Sequence, residues 1–157
     1  MTQLPPSARN VREALAAAGS ASDVVVLPGS ARTAAEAAAA LGCEVGAIAN
    51  SLVFMADGRP LLVMTSGAHR VDTVALARRM GKDTIVRATA DEVRTATGQA
   101  IGGVAPVGHP TRLETLIDVA LSAYERIWAA GGTPHAIFAT TYPELVRMTQ
   151  GTPVGVT

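Results

Sequence analysis

A single cysteine, Cys43, stands in this chain of 157 residues. One thiol forms no disulfide within the chain and argues against a cysteine-based metal site; its default role is a small buried residue at a helix end. Only 3% of the residues are aromatic, and neither sign of charge is in excess, since 13 Lys and Arg balance 13 Asp and Glu. No uniform field draws the protein to nucleic acid or to an anionic membrane, so a nucleic-acid partner has to be met by a local patch. The histidines, His69, His109 and His135, lack a ligand spacing such as His-x-x-x-His, which argues against zinc, and no cofactor is expected. No apolar run is long enough to cross a bilayer, and Met1 to Asn10 has no apolar core, so no membrane partner and a cytoplasmic location are expected.

What is present is apolar and small. Hydrophobic residues make up 48% of the chain, rich in alanine and valine, which suits one globular domain with one core. The most distinctive stretch runs Ala100-Ile101-Gly102-Gly103-Val104-Ala105-Pro106-Val107-Gly108-His109-Pro110. Glycine lets backbone approach a ligand closely and proline removes a donor, so the run reads as a rigid wall whose N–H groups point outward. Such a wall suits a developing oxyanion; an ordinary connection between elements is the plainer reading.

Along the chain, helical and extended patterns alternate. Val11, Leu15 and Ala18 share a helical face closed by Gly19, and Asp23 to Leu27 reads as a short buried strand before Pro28-Gly29. Thr-x-x-Glu capping signals stand at Thr33, Thr89 and Thr141, followed by helices expected to end at Gly42, Gly98 and Gly151. Ala47 to Met55, the turn Ala56-Asp57-Gly58-Arg59 and Pro60 to Thr65 make a β-hairpin. Val71, Val74, Ala75 and Met80 form the face of a further helix, with Arg78 and Arg79 in its last turn. Extended segments are expected near Ile101 to Val104, Leu113 to Val119, Glu125 to Ala130 and His135 to Ala139, with a turn at Ser122 to Tyr124. The pattern implies an α/β fold with a mixed, mainly antiparallel sheet, open or barrel-like, surrounded by helices. Met55, Met64, Met80 and Met148 fall on apolar faces and are expected in the core.

Several segments, taken in order, carry a resemblance. They are Ile48-Ala49-Asn50-Ser51-Leu52-Val53-Phe54, the hairpin, Ser66 to Asp72, Gly102 to Gly108, Ile117-Asp118, and Gly131-Gly132 with Thr141 to Leu145. From about Asp23 to Thr149 the chain resembles the YbaK family, relatives of the editing domain inserted in bacterial prolyl-tRNA synthetases. The resemblance implies the YbaK/prolyl-tRNA synthetase-associated fold and a free-standing aminoacyl-tRNA deacylase. Such an enzyme hydrolyses the ester of a wrong small amino acid, such as alanine, serine, threonine or cysteine, at a tRNA 3′ end. Its partners are the tRNA acceptor end and an aminoacyl-tRNA synthetase.

The family's Gly-x-x-x-Pro loop matches Gly102 to Pro106, so Gly102, Gly103, Val104 and Ala105 are the candidate catalytic backbone and Pro106 a pocket residue. The family works with a water and a ribose hydroxyl of the substrate rather than a side-chain nucleophile. Deacylases of the family usually carry lysine where this chain has Asn50, and an amide cannot neutralise a phosphate. Asn50 is expected to face a pocket floored by Gly102 to Pro106. Arg70 is the first candidate for a substitute cation, with Arg112 and Arg32 behind it. His109, beside the glycine loop, is a candidate for positioning water or a ribose hydroxyl; His69 belongs with Arg70, and Asp118 matches an acidic family position. The alternatives are a catalytically silent aminoacyl- or nucleotide-binding module that lost the lysine, or a hydrolase of another small acyl ester.

Overall fold

The computed structural model describes residues 4–29 and 33–157. Helix α1 (Pro6–Ala17) opens the chain and is followed by strand β1 (Val25–Val26) and α2 (Ala34–Leu41). A 3-10 turn at Val45–Ala47 leads into the hairpin of β2 (Ile48–Ala56) and β3 (Arg59–Ser66). Next come α3 (Thr73–Met80), β4 (Ile85–Arg87), α4 (Ala90–Thr97) and β5 (Glu114–Asp118). After a 3-10 segment at Val119–Ala123, the chain ends with β6 (Ile127–Ala130), β7 (Ala136–Thr140), α5 (Tyr142–Thr149) and β8 (Thr152–Val154).

The hairpin turns at Asp57 (φ 50°) and Gly58 (φ 81°), as a two-residue turn with positive φ at both positions requires. Asp57 also braces the next crossing. Its carboxylate accepts from the N–H groups of Thr84 and Asp83, which holds it below the usual carboxylate range. The strands form one mixed sheet in the order β1-β7-β6-β2-β3-β5-β8, with β4 pairing β2 off that path. Pairing is antiparallel for β1/β7, β6/β7, β2/β3 and β2/β4, and parallel for β2/β6, β3/β5 and β5/β8. The sheet order runs open from β1 to β8 rather than closing as a barrel among the described residues.

Alternation along the hairpin splits the apolar residues between two faces. Ala49, Val53, Leu62 and Met64 bury against Val11 and Leu15 of α1, Val93 of α4, and Leu145 and Met148 of α5. On the other face, Phe54, Leu61 and Val63 meet Leu76, Ala77, Ile85 and Leu116. Ala37, Ala38 and Ile48 form a third cluster with Trp128 and Cys43 at its edge, where partial burial pushes the Cys43 thiol up. Met64 and Met148 sit in the core, whereas Met55 and Met80 are half-buried.

Four expectations need correction. The Asp23 to Leu27 run yields only a two-residue edge strand, and Val25 and Val26 are exposed because β7 alone pairs with them. Ile101 to Val104 is not a strand: Gly102 has φ 89°, and the Gly103 N–H donates back to the Ala100 carbonyl, closing a turn. In α3 the cap at Asp72 sets the phase so that Leu76 and Ala77 face inward and Val74 is 69% exposed. Helix α5 stops at Gln150 (φ 51°) rather than Gly151, whose Cβ would fall 2.7 Å from the Ile117 side chain.

Candidate active site

Strand β2 has β3 along one edge and two different partners along the other. The Ile48 carbonyl accepts from Gly67 on the β3 side at 2.8 Å, whereas the Val53 carbonyl accepts from Ala88 on the opposite side at 3.1 Å. Ala49, Ser51 and Val53 therefore turn their main-chain groups away from β3, because successive residues of a strand alternate. On that edge β6 pairs only as far as Ala49, and β4 begins pairing at Phe54. The Ser51 N–H and C=O and the Val53 N–H consequently lie in a gap of the sheet with no strand opposite them among the described residues.

A cavity of about 330 Å³ fills this gap. Residues opposite each other in the ladder share a face, so the cavity has two unlike halves. Its inner half is walled by Ala49, Val53, Val93, Val104 and Ala129, all from the main core cluster. Its outer half is walled by Asn50, Arg87 and Trp128. Among the described residues, Thr33, Asn50, Ser51 and Arg87 supply its polar side chains, and none is acidic.

The glycine loop contributes Ile101, Gly102 and Val104 to the wall. Its N–H groups divide into used and unused. Gly103 donates to Ala100 at 3.0 Å and Ala105 to Gln99 Oε1 at 2.7 Å, whereas Gly102 and Val104 have no hydrogen-bond acceptor among the described residues. Gly103 is needed for packing, since a Cβ there would lie 2.5 Å from the Thr133 main chain. Asn50 and the loop thus face one cavity, through Gly102 and Val104 rather than through all five residues.

Pro106 and His109 lie elsewhere. They line a second cavity of about 360 Å³ with Arg112 and residues of α1. His109 Nε2 donates to the Ala105 carbonyl at 2.7 Å, so it braces the loop from behind, and burial pushes the imidazole below its ordinary value. The carboxylate of Asp118 is buried and accepts from the Ser66 and Ala120 N–H groups, with His69 Nδ1 at 2.9 Å from Oδ2. That network anchors the loop after β3 and does not line the cavity, nor does exposed Arg70. His135 is exposed, with Nδ1 3.2 Å from the Gly29 carbonyl. Arg32 falls outside the described residues.

Among the described residues, the cation that does line the cavity is Arg87, stacked over the Phe54 ring at 5.7 Å. The sequence reading missed it because β4, three residues long with Val86 and Arg87 exposed, has no alternating pattern. A possible signal was the capping box at Thr89, which places a chain reversal just after Arg87. Arg126, which does not line the cavity, lies over the ring of Trp128 at 5.9 Å. Among the described residues no group of three or more His, Cys, Asp or Glu is placed to hold a metal ion.

Comparison with known proteins agrees with this architecture. Residues 29–148 match the model of the aminoacyl-tRNA editing domain. The chain is similar to proline--tRNA ligase of Bacillus licheniformis, at 37% identity over 83 residues covering 53% of this chain and 14% of the ligase. The ligase of Nitratidesulfovibrio vulgaris is 34% identical over 68 residues, 43% of this chain and 12% of the ligase. The chain therefore spans only a small part of the length of these curated relatives. A solved structure described as a candidate trans-editing enzyme for prolyl tRNA synthetase superposes with a TM-score of 0.92 at 45% identity, covering 99% of each chain. A hypothetical protein does so with a TM-score of 0.86 at 29% identity, covering 94% of this chain and 98% of its own. With three quarters of its length matched and its fold shared, this chain belongs to the aminoacyl-tRNA editing domain family, as a YbaK-like member.

Proposed function

We propose that the protein acts in trans on mischarged tRNA, hydrolysing the ester between a small amino acid and the 3′-terminal ribose. The observation that carries this reading is the set of main-chain donors without a partner among the described residues, Ser51, Val53, Gly102 and Val104, around one cavity. Donors already fixed in place stabilise an oxyanion without reorganising as charge develops, and losing one typically costs about 100- to 1000-fold in rate. With the ester carbonyl in the sheet gap, the amino-acid side chain enters the inner apolar half, and the ribose and its phosphate stay in the outer half beside Asn50 and Arg87. Water adds to the carbonyl carbon while a free ribose hydroxyl of the substrate positions it. Collapse of the tetrahedral adduct breaks the ester, the ribose oxygen takes a proton, and a free amino acid and a deacylated tRNA leave. Since none of the side chains lining the cavity is a nucleophile paired with a base, the rate comes from positioning and electrostatics.

Small walls fit a small substrate. A synthetase pocket separates side chains differing by a methylene by only about 1–3 kcal/mol, which is why such errors need removal. Similarity to prolyl-tRNA synthetases suggests proline tRNA charged with alanine as the first substrate to try. A panel of tRNAs carrying alanine, serine, threonine or cysteine, assayed with and without chelator, tests the proposal. We expect chelator-insensitive release of at least one amino acid. Buffer-level hydrolysis of every ester would leave the silent binding module, the reading favoured by a neutral Asn50 at the position where deacylases of the resembled family usually carry lysine.

A further inference from the structure

Among the described residues, only two buried side-chain polar atoms lack a hydrogen-bond partner, the hydroxyl of Thr65 and Nε2 of Gln99. Both stand directly behind the cavity wall: Gln99 holds the loop through Ala105, and Thr65 is the cross-strand partner of Asn50. Buried groups with unmet hydrogen bonds are rare and need a reason. At Thr65 the reason is available in the ladder. Residues directly opposite in an antiparallel pair project to the same face with Cβ atoms about 4.5–5.5 Å apart, within reach of a Thr hydroxyl and an Asn amide. Thr65 is 1% exposed, whereas Asn50 is half-buried, lines the cavity and has no side-chain partner among the described residues.

We infer that Thr65 is a positioning residue, whose hydroxyl sets which end of the Asn50 side-chain amide faces the cavity. The two ends of an amide are nearly equal in size and opposite in hydrogen bonding, so shape alone does not orient it. A Thr65 hydroxyl donating to Asn50 Oδ1 turns both N–H groups of Nδ2 toward the outer half, where a ribose or phosphate oxygen would accept them. A valine at position 65 fills the same volume and carries the same β preference, so plain strand packing gives no advantage to the hydroxyl.

The test compares Thr65→Val with Thr65→Ser. In nitrogen-15 NMR spectra, where Asn50→Ala identifies the Asn50 side-chain resonances, we expect Thr65→Val to shift them or average the two Nδ2 protons, and Thr65→Ser to keep them. Deacylation by Thr65→Val should fall about tenfold and return with serine, as for loss of one hydrogen bond. Its melting temperature should stay near that of the parent, because valine keeps the volume and the strand preference and only one hydrogen bond at the cavity edge is lost. Adding Thr65→Val to Asn50→Ala should change nothing further. Unmoved Asn50 resonances in Thr65→Val, or additive losses in the double variant, would overturn the inference. The activity arm rests on the proposed function, but the resonances do not, so an inactive parent protein with a Thr65-dependent Asn50 amide would refute only the function. If Thr65→Val fails to fold, Thr65→Ala takes its place in the same spectra.

Discussion

At Arg87 a guanidinium lies over Phe54 and lines the same cavity as Asn50, where under the proposed function it would offer planar donors to an acceptor end. Arg87→Ala should weaken binding of acceptor-stem RNA and lower the slope of log affinity against log salt by about 0.7–0.9 for one lost phosphate contact. Asn50→Lys should raise affinity and steepen the slope by a similar amount. Arg70→Ala, outside the cavity wall, should leave both near the parent value; binding isotherms at several salt concentrations distinguish the three. A loss confined to Arg70→Ala would return the cation role to the loop after β3. His109 gives a pH effect whose sign is fixed by burial, which lowers its pKa in the folded state. The unfolded chain takes up the proton near the ordinary value of about 6.5, so the neutral ring's contribution is whole above that pH and is lost as pH falls below it. Between pH 7.5 and 5.5 the melting temperature of the parent should therefore fall more than that of His109→Gln. An equal fall in both would show that His109 contributes nothing to acid sensitivity.

Helix starts are where sequence and structure agree most closely. Thr33 and Thr89 form complete capping boxes with Glu36 and Glu92, because both halves of the device lie within four residues. At Thr141 only half forms: the Glu144 carboxylate turns to the hydroxyls of Ser20 and Thr140, an option that only the folded chain creates. Thr89→Ala should cost about 1 kcal/mol in denaturant unfolding. The hairpin was equally legible, since its alternation and Asp-Gly turn are local. Strands β4 and β8 were not, being three residues long and stabilised by neighbours distant in sequence. The loop was legible as a wall but not in its direction: Gly102 and Val104 face one cavity and Pro106 the other, which depends on Gln99 and His109 holding Ala105 between them. Gly103→Ala should destabilise the fold by about 1–3 kcal/mol, because the Thr133–Pro134 main chain has to move. A smaller change in unfolding free energy would mean that this contact yields.

Over the whole molecule, β2 and β3 contribute to the two larger clusters, and β2 also supplies Ile48 to the third. A single cooperative transition is therefore expected, with calorimetric and van't Hoff enthalpies equal; two resolved transitions would show that the two faces of the hairpin unfold separately. The interrupted partnership along β2 has an evolutionary consequence as well. The donors of Ser51 and Val53 belong to the peptide backbone, so mutation can exchange any side chain around the gap and leave those hydrogens in place. Only proline deletes one. Such a site can drift among substrates by substituting its walls while keeping the groups that would meet the reacting carbonyl, so divergence at its side chains says little about whether the chemistry has been lost.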